Sequence, residues 1–355
     1  MQTEILKVHP QFPEIDQIAY CAKIIRQGGL VIFPTETVYG IAADFNNPKA
    51  MARLREVKRR SPQKPFAIMI PQKGLIANYT STTDPKVYKL IDQYWPGPLT
   101  VIVPSFEGAE TTIGIRMPDH AIALKLLQEA QCTIAAPSAN FEGSPAPKTC
   151  REALTDLNGL VNAAIDSGEA HYGQGSSVVD FTKGKPTVVR EGAIRQSDVD
   201  QTTQRKTVLF VCTGNSCRSV MAEYILRKML KDRDDVEIIS AGTGVYIRSS
   251  ASLETINVLR KEGMDASLHT SQPLNTVLLR KSDLILVMTK NHRQQVLDWA
   301  PAVEKRVYLL REFSSLPMDS AINLDIPDPI GKPAEIYEEC VLTIKDCLNK
   351  VVKLI

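Results

Sequence analysis

At 355 residues the chain is long enough for two domains of ordinary size, and its 43% apolar and 23% charged content is that of a globular protein, not a disordered one. A net charge of +2 provides no overall field for nucleic acid, so any nucleotide or RNA contact requires a local basic cluster. No run of about 18 apolar residues could span a bilayer, and the N-terminal Met-Gln-Thr-Glu-Ile-Leu-Lys lacks the apolar core of a signal peptide. The seven cysteines (Cys21, Cys132, Cys150, Cys212, Cys217, Cys340, Cys347) are scattered and odd in number. They make neither a secreted disulfide framework nor a metal-ligand spacing, which points to the cytoplasm, with no membrane contact, no metal site and no tightly bound cofactor.

In chain order, Leu6 to Pro13 reads as an extended lead-in. Ile15, Ile18, Ala19, Ala22 and Ile25 then recur at helical spacing up to the stop at Gly28-Gly29. Leu30–Phe33 is a buried strand running into Pro34-Thr-Glu-Thr-Val-Tyr-Gly40. A helix over 49–59 delivers Lys58, Arg59, Arg60 and Lys64, between its own end and a strand over 66–70. Four positive charges in seven residues commonly form a solvated face; placed between a helix end and a buried strand, they can grip a polyphosphate. Further elements follow: a helix over 85–94, strands over 99–103 and 112–116, a helix over 121–130 and a strand over 132–136. The last strands cover 176–181 and 186–190. Strand and helix alternate irregularly, some strands being adjacent, so the expected fold is a twisted mixed α/β sheet with no Walker or Rossmann glycine fingerprint.

Pro34–Gly40, Lys58-Arg-Arg60 with Lys64-Pro65, Arg116-Met-Pro118, Pro137-Ser-Ala-Asn140, Ser176-Ser-Val-Val-Asp180 and Val189-Arg-Glu-Gly192 together resemble the YrdC-type threonylcarbamoyl-AMP synthases over residues 8–195. The resemblance implies condensation of L-threonine, bicarbonate and ATP, with Mg²⁺ carried on the ATP, to threonylcarbamoyl-adenylate and pyrophosphate. Other enzymes then pass the group to an adenosine beside certain tRNA anticodons. It also implies that Lys58, Arg60, Lys64, Asn140 and Arg190 hold ATP, and that Thr35, Arg116, Ser138 and Ser176 hold threonine. A carboxylate wants a bidentate arginine flanked by hydroxyls, and a triphosphate wants clustered cations. Met69 and Phe66 depart from the residues usual in such relatives. The competing expectation for this domain is a module that only binds RNA or nucleotide.

Residues 196–206 are polar with no apolar period and read as a flexible linker. Beyond it, Val208–Val211 is a short buried strand, and Cys212-Thr-Gly-Asn-Ser-Cys-Arg-Ser219 a tight polar loop opening a helix. Backbone N–H groups of such a loop converge on a point where the helix N-terminus adds positive charge, an anion cradle with a thiol at one end and a guanidinium at the other. Such a setting favours the thiolate, which can attack phosphorus while the donors hold the equatorial oxygens.

That loop, with Ser240-Ala-Gly-Thr243, Asp283–Met288 and Asp325-Ile-Pro-Asp-Pro-Ile-Gly331, resembles the low-molecular-weight protein tyrosine phosphatases over residues 207–355. The implied fold is a four-stranded parallel sheet with helices on both faces, its strands near 208–211, 236–240, 284–288 and 307–310. The implied roles are Cys212 as nucleophile, Arg218 as phosphoryl clamp and Asp328 as general acid, preferred to Asp325 because the family's acid directly precedes proline. Thr213, Gly214, Asn215, Ser216, Cys217 and Ser219 would build the loop. Cys217 is either an oxidation partner for Cys212 or an inert thiol. Tyrosine-directed members carry a bulky residue at the position of Ser216 and tyrosines after the Asp-Pro. The related protein-arginine phosphatases carry a small hydroxyl residue, so phosphoarginine is the expected substrate and phosphotyrosine the alternative. Val220 stands where a proline is usual.

Overall fold

The computed structural model describes residues 2–106, 108–314 and 324–355. The chain divides into two compact units, Met1–Thr82 with Leu90–Thr202, and Thr83–Lys89 with Thr203–Ile355. No helix among the described residues is long and apolar enough to cross a membrane.

The strands assigned to the first sheet are β1 (Glu4–Lys7), β2 (Val31–Phe33), β3 (Gly40–Asp44), β4 (Ile68–Met69), β5 (Leu99–Ser105), β6 (Gly108–Arg116), β7 (Ile134–Ala135), β8 (Ala163–Asp166), β9 (Ser177–Asp180) and β10 (Thr187–Arg190). Their order across the sheet is β1-β8-β2-β3-β7-β4-β6-β5-β9-β10, with parallel and antiparallel pairs mixed. Side chains alternate across a strand, and β2 shows the consequence. Val31 and Phe33 pack with α1 (Ile15–Arg26) and α4 (Ala121–Ala130), while Ile32 packs with α2 (Pro48–Val57) and α5 (Cys150–Leu157). Helix α2 starts where Asn47 accepts from the amides of Lys49 and Ala50 and Pro48 occupies the first turn.

The second sheet has four parallel strands, β11 (Lys206–Cys212), β12 (Val236–Gly242), β13 (Leu284–Val287) and β14 (Val307–Leu309), in the order β12-β11-β13-β14. Here too β11 alternates. Val208, Phe210 and Cys212 face the layer of α7 (Arg218–Met229), α8 (Leu253–Lys261) and α11 (Ala334–Val351). Leu209 and Val211 face α9 (Thr276–Lys281) and α10 (Lys290–Trp299). Truncating a fully buried side chain such as Phe210 costs ~3–5 kcal/mol. The central strand therefore presents its C-terminal residue, Cys212, at the sheet edge where such folds bind ligands.

The segment 196–206, read from sequence as a tether, instead carries helix α6 (Gln196–Gln204) and the first residue of β11. Val199 and Thr203 are buried on α6. One buried valine is too weak a period to reveal a helix in sequence, yet enough to dock one.

Candidate functional site

In the first sheet the segments after β2 and β7, the end of β6 and the approach to β9 converge on a cavity of about 340 Å³. Among the described residues it is lined by Arg60, Lys64, Arg116 and Arg190, with Thr35, Ser138 and Ser176 beside them and no carboxylate. Seven of the nine residues expected from sequence thus share one cavity. The other two, Lys58 and Asn140, stand behind its wall. Lys58 is buried, and its Nζ donates to the carbonyls of Ser138 and Asn140, both at 2.6 Å, and to Asn140 Oδ1 at 3.3 Å. Burial, then the nearby Arg60 charge, pushes Lys58 down to about 8. Asn140 Nδ2 donates to the carbonyls of Phe141 and Ser144, so this pair braces the 138–144 turn.

The cations are each positioned. Arg60 donates to the carbonyl of Pro65 at 2.8 Å and lies over Phe66, and burial lowers its proton affinity. Lys64 pairs with Glu142. Arg190 donates to Ser176 through its carbonyl (2.9 Å) and Oγ (3.0 Å), and that hydroxyl also meets Thr100 Oγ1 at 2.8 Å. Arg116 is buried, donating from Nη2 to Glu36 Oε1 at 2.7 Å and from Nε to Gly97 O at 3.3 Å. Glu36 is a site residue that sequence reading missed, although it sits inside the quoted Pro34–Gly40 stretch.

In the second sheet Cys212 Sγ lies 2.9 Å from Ser219 Oγ and accepts from the Asn215 amide at 3.3 Å. Asn215 has a left-handed φ of 51°, which asparagine tolerates better than other side-chain-bearing residues. Its conformation is fixed from four sides. Nδ2 donates to Ser219 Oγ (3.0 Å) and Ser240 Oγ (2.7 Å), Oδ1 accepts from the Gln272 amide, and its carbonyl accepts from His269 Nε2. Ser240 in turn donates to the buried Glu223, which pairs with Arg227 at 2.6 Å. The loop is also pinned from the segment after β12: the Gly244 amide donates to Thr213 O and the Ser252 amide to Ser216 O. Gly242 has no room for a side chain, since a Cβ would meet Thr213 O at 2.4 Å. His269 and His292 are site residues with no local sequence signal of their role, and Ser240, though inside the quoted Ser240-Ala-Gly-Thr243 stretch, is assigned no role there.

Arg218 opens α7 and is 4% exposed. Nη1 donates to Ile326 O at 3.1 Å, Nη2 pairs with Asp328, and the buried Nε has no partner among the described residues. An unfilled guanidinium donor beside a thiol suits a tetrahedral anion. Asp325 is committed elsewhere, accepting from the Lys290 amide at the start of α10. Behind the loop, His292 is hydrogen-bonded to Thr213 Oγ1 and Thr289 Oγ1, both at 2.9 Å. Burial, then the Arg218 charge, pushes it down to about 4, so it is neutral at neutral pH. Cys217 lies 3.4 Å from Ser252 Oγ, and all seven cysteines are free thiols.

The Sua5/YciO/YrdC family model, described as telomere recombination, matches residues 23–192. The low molecular weight phosphotyrosine protein phosphatase model matches residues 207–355. The chain is 35% identical over 206 residues to the threonylcarbamoyl-AMP synthase of Pyrococcus abyssi, covering 56% of this chain and only 60% of that protein. It is 32% identical over 201 residues to a putative threonylcarbamoyl-AMP synthase of Methanocaldococcus jannaschii, covering 55% of this chain and 95% of the relative. The crystal structure of P. abyssi Sua5 complexed with L-threonine superposes with a TM-score of 0.54 over 97% of this chain and 98% of that one, at 21% identity, a likeness of fold. The chain therefore belongs to the Sua5/YciO/YrdC family through its first domain, and its residues 207–355 match the low molecular weight phosphotyrosine protein phosphatase model.

Proposed function

We propose that the chain is a bifunctional enzyme, a threonylcarbamoyl-AMP synthase joined to a cysteine-dependent protein phosphatase. For the first activity the carrying observation is a cavity lined, among the described residues, by four cations, five serine and threonine residues and no carboxylate. Arg60, Lys64 and Arg190 take the triphosphate, and Mg²⁺ arrives with it. Thr35, Arg116, Ser138 and Ser176 take L-threonine, as the threonine named with the P. abyssi structure suggests. Lys58 and Asn140 act by holding the Ser138–Asn140 turn. The threonine amine and bicarbonate form a carbamate with loss of water. A carbamate oxygen then attacks the α-phosphorus as the bond to pyrophosphate breaks, a step that positioning and charge neutralisation accelerate. Conversion of ATP to pyrophosphate should require threonine and bicarbonate together; absence of turnover would reduce this domain to a nucleotide- or RNA-binding module. A tRNA adenosine, reached through a partner transferase in the cytoplasm, is the destination of the product.

For the second activity, Cys212 attacks phosphorus to give a phosphocysteine while Asp328 protonates the leaving group. Asp328 then takes a proton from the water that releases phosphate, and Arg218 Nε and the loop amides hold the equatorial oxygens throughout. Ser216, whose hydroxyl lies beside Gly214, is a small hydroxyl residue of the kind found in the arginine-directed relatives, which favours phosphoarginine over phosphotyrosine. Phosphate release from the two phosphopeptides, measured side by side with Cys212→Ser as control, tests this. Preference for phosphotyrosine would reverse the assignment.

A further inference from the structure

The first domain contains a second cavity whose chemistry is the inverse of the one just described. It measures about 510 Å³ and is walled by Pro34–Glu36, Gly97 and its neighbours, Asp119–His120 and the turn carrying Glu169 and Tyr172. Among the described residues its lining has three carboxylates, Glu36, Asp119 and Glu169, and neither lysine nor arginine. The two cavities share Thr35, and the Arg116–Glu36 ion pair stands between them: Arg116 lines the cationic side and Glu36 the acidic side.

Glu36 is 6% exposed, and only Oε1 is engaged, by Arg116; Oε2 has no partner among the described residues. Leaving a buried acceptor without a donor costs on the order of 1–3 kcal/mol, more for a charged group, so an incoming donor is favoured there. His120 Nδ1 is also buried without a partner among the described residues, and burial lowers its proton affinity. Tyr94 and Tyr172 add ring surface, and the Tyr172 amide donates to Glu36 O at 2.8 Å, tying the rim to the floor. The described residues contain no group of three or more His, Cys, Asp or Glu side chains able to hold a metal ion.

We propose that this cavity binds a small organic cation of the alkylammonium class. One ammonium donates to Glu36 Oε2 at the floor, the methylene chain lies against the tyrosines, and Asp119 and Glu169 take a second ammonium at the rim. Putrescine titrated into the full chain by isothermal calorimetry, at matched ionic strength, should reveal one saturable site. The double substitution Asp119→Asn with Glu169→Gln, both at exposed positions, should weaken it about tenfold, the equivalent of ~1.4 kcal/mol. Glu36→Gln, checked for native circular dichroism, should abolish it. Absence of saturable heat with the unsubstituted chain, or an affinity that the rim substitutions leave unchanged, would overturn the proposal.

Discussion

Each domain buries an arginine against a carboxylate, but the two pairs are built differently. Arg116 and Glu36 have side chains only 6% and 7% exposed, so both charges are withdrawn from water and each depends on the other. Arg218 is just as buried, but the side chain of Asp328 is 43% exposed and sits in a proline-bounded loop. A doubly buried pair fixes a guanidinium in one orientation. A pair with one exposed member lets the carboxylate swing away, which a general acid must do if the phosphoryl group is to claim the same guanidinium. The first arrangement suits recognition of an unchanging carboxylate, the second a reaction whose charges move.

Substitutions at the carboxylates test that contrast. Asp328→Asn should lower phosphate release about 10²–10⁴-fold, the usual worth of a general acid, with little change in melting temperature. A large loss of stability instead would mean that the pair is structural. Glu36→Ala should act the other way, costing ~3–5 kcal/mol in urea unfolding by stranding Arg116. An unfolding curve that does not move would show that Arg116 has another solution and that the pairs are alike. His292 carries the contrast to a third group. Its folded value of about 4 lies below the ordinary 6.5, so as pH falls from 6.5 to 4 the unfolded chain takes up a proton that the folded chain refuses. Stability should therefore be full above pH 6.5 and fall by roughly 3 kcal/mol by pH 4, and His292→Asn should flatten that slope. The smallest effect is Ser252→Ala, which removes the acceptor for the Thr255 amide at the start of α8 and should cost about 1 kcal/mol. Denaturant midpoints at pH 7 would detect it.

The legibility of these sites in the sequence follows from where each signal resides. Helix α4 spans Ala121–Ala130 as its apolar spacing predicts, and the parallel sheet of the second domain is foreshadowed by Val208–Val211 and Leu284–Met288. Strand β8, with Ala163 and Ala164 at its start, was missed because alanine carries no strand preference, and its place is set by pairing with β1 and β2. Cys212, Arg218 and Asp328 stand out in the sequence because the chemistry proposed for them needs those residue types in a fixed order. Glu36 and His269 were not, because their roles depend on partners 80 and 54 residues away that only the folded sheet brings close. Lys58 reads in sequence as one cation of a cluster. The fold turns it inward onto two carbonyls, a distinction that charge counting cannot make.

The segment between Gly244 and Ser252 is fastened at both ends to the phosphate loop, and between the fastenings Tyr246 and Ile247 are 97% and 85% exposed. Anchors that belong to the loop, joined by a span that owes it nothing, make this stretch a replaceable cassette. On the proposed phosphatase reading, grafting spans of other length or composition between the same two attachment points should retune substrate choice without disturbing the geometry of the phosphate loop.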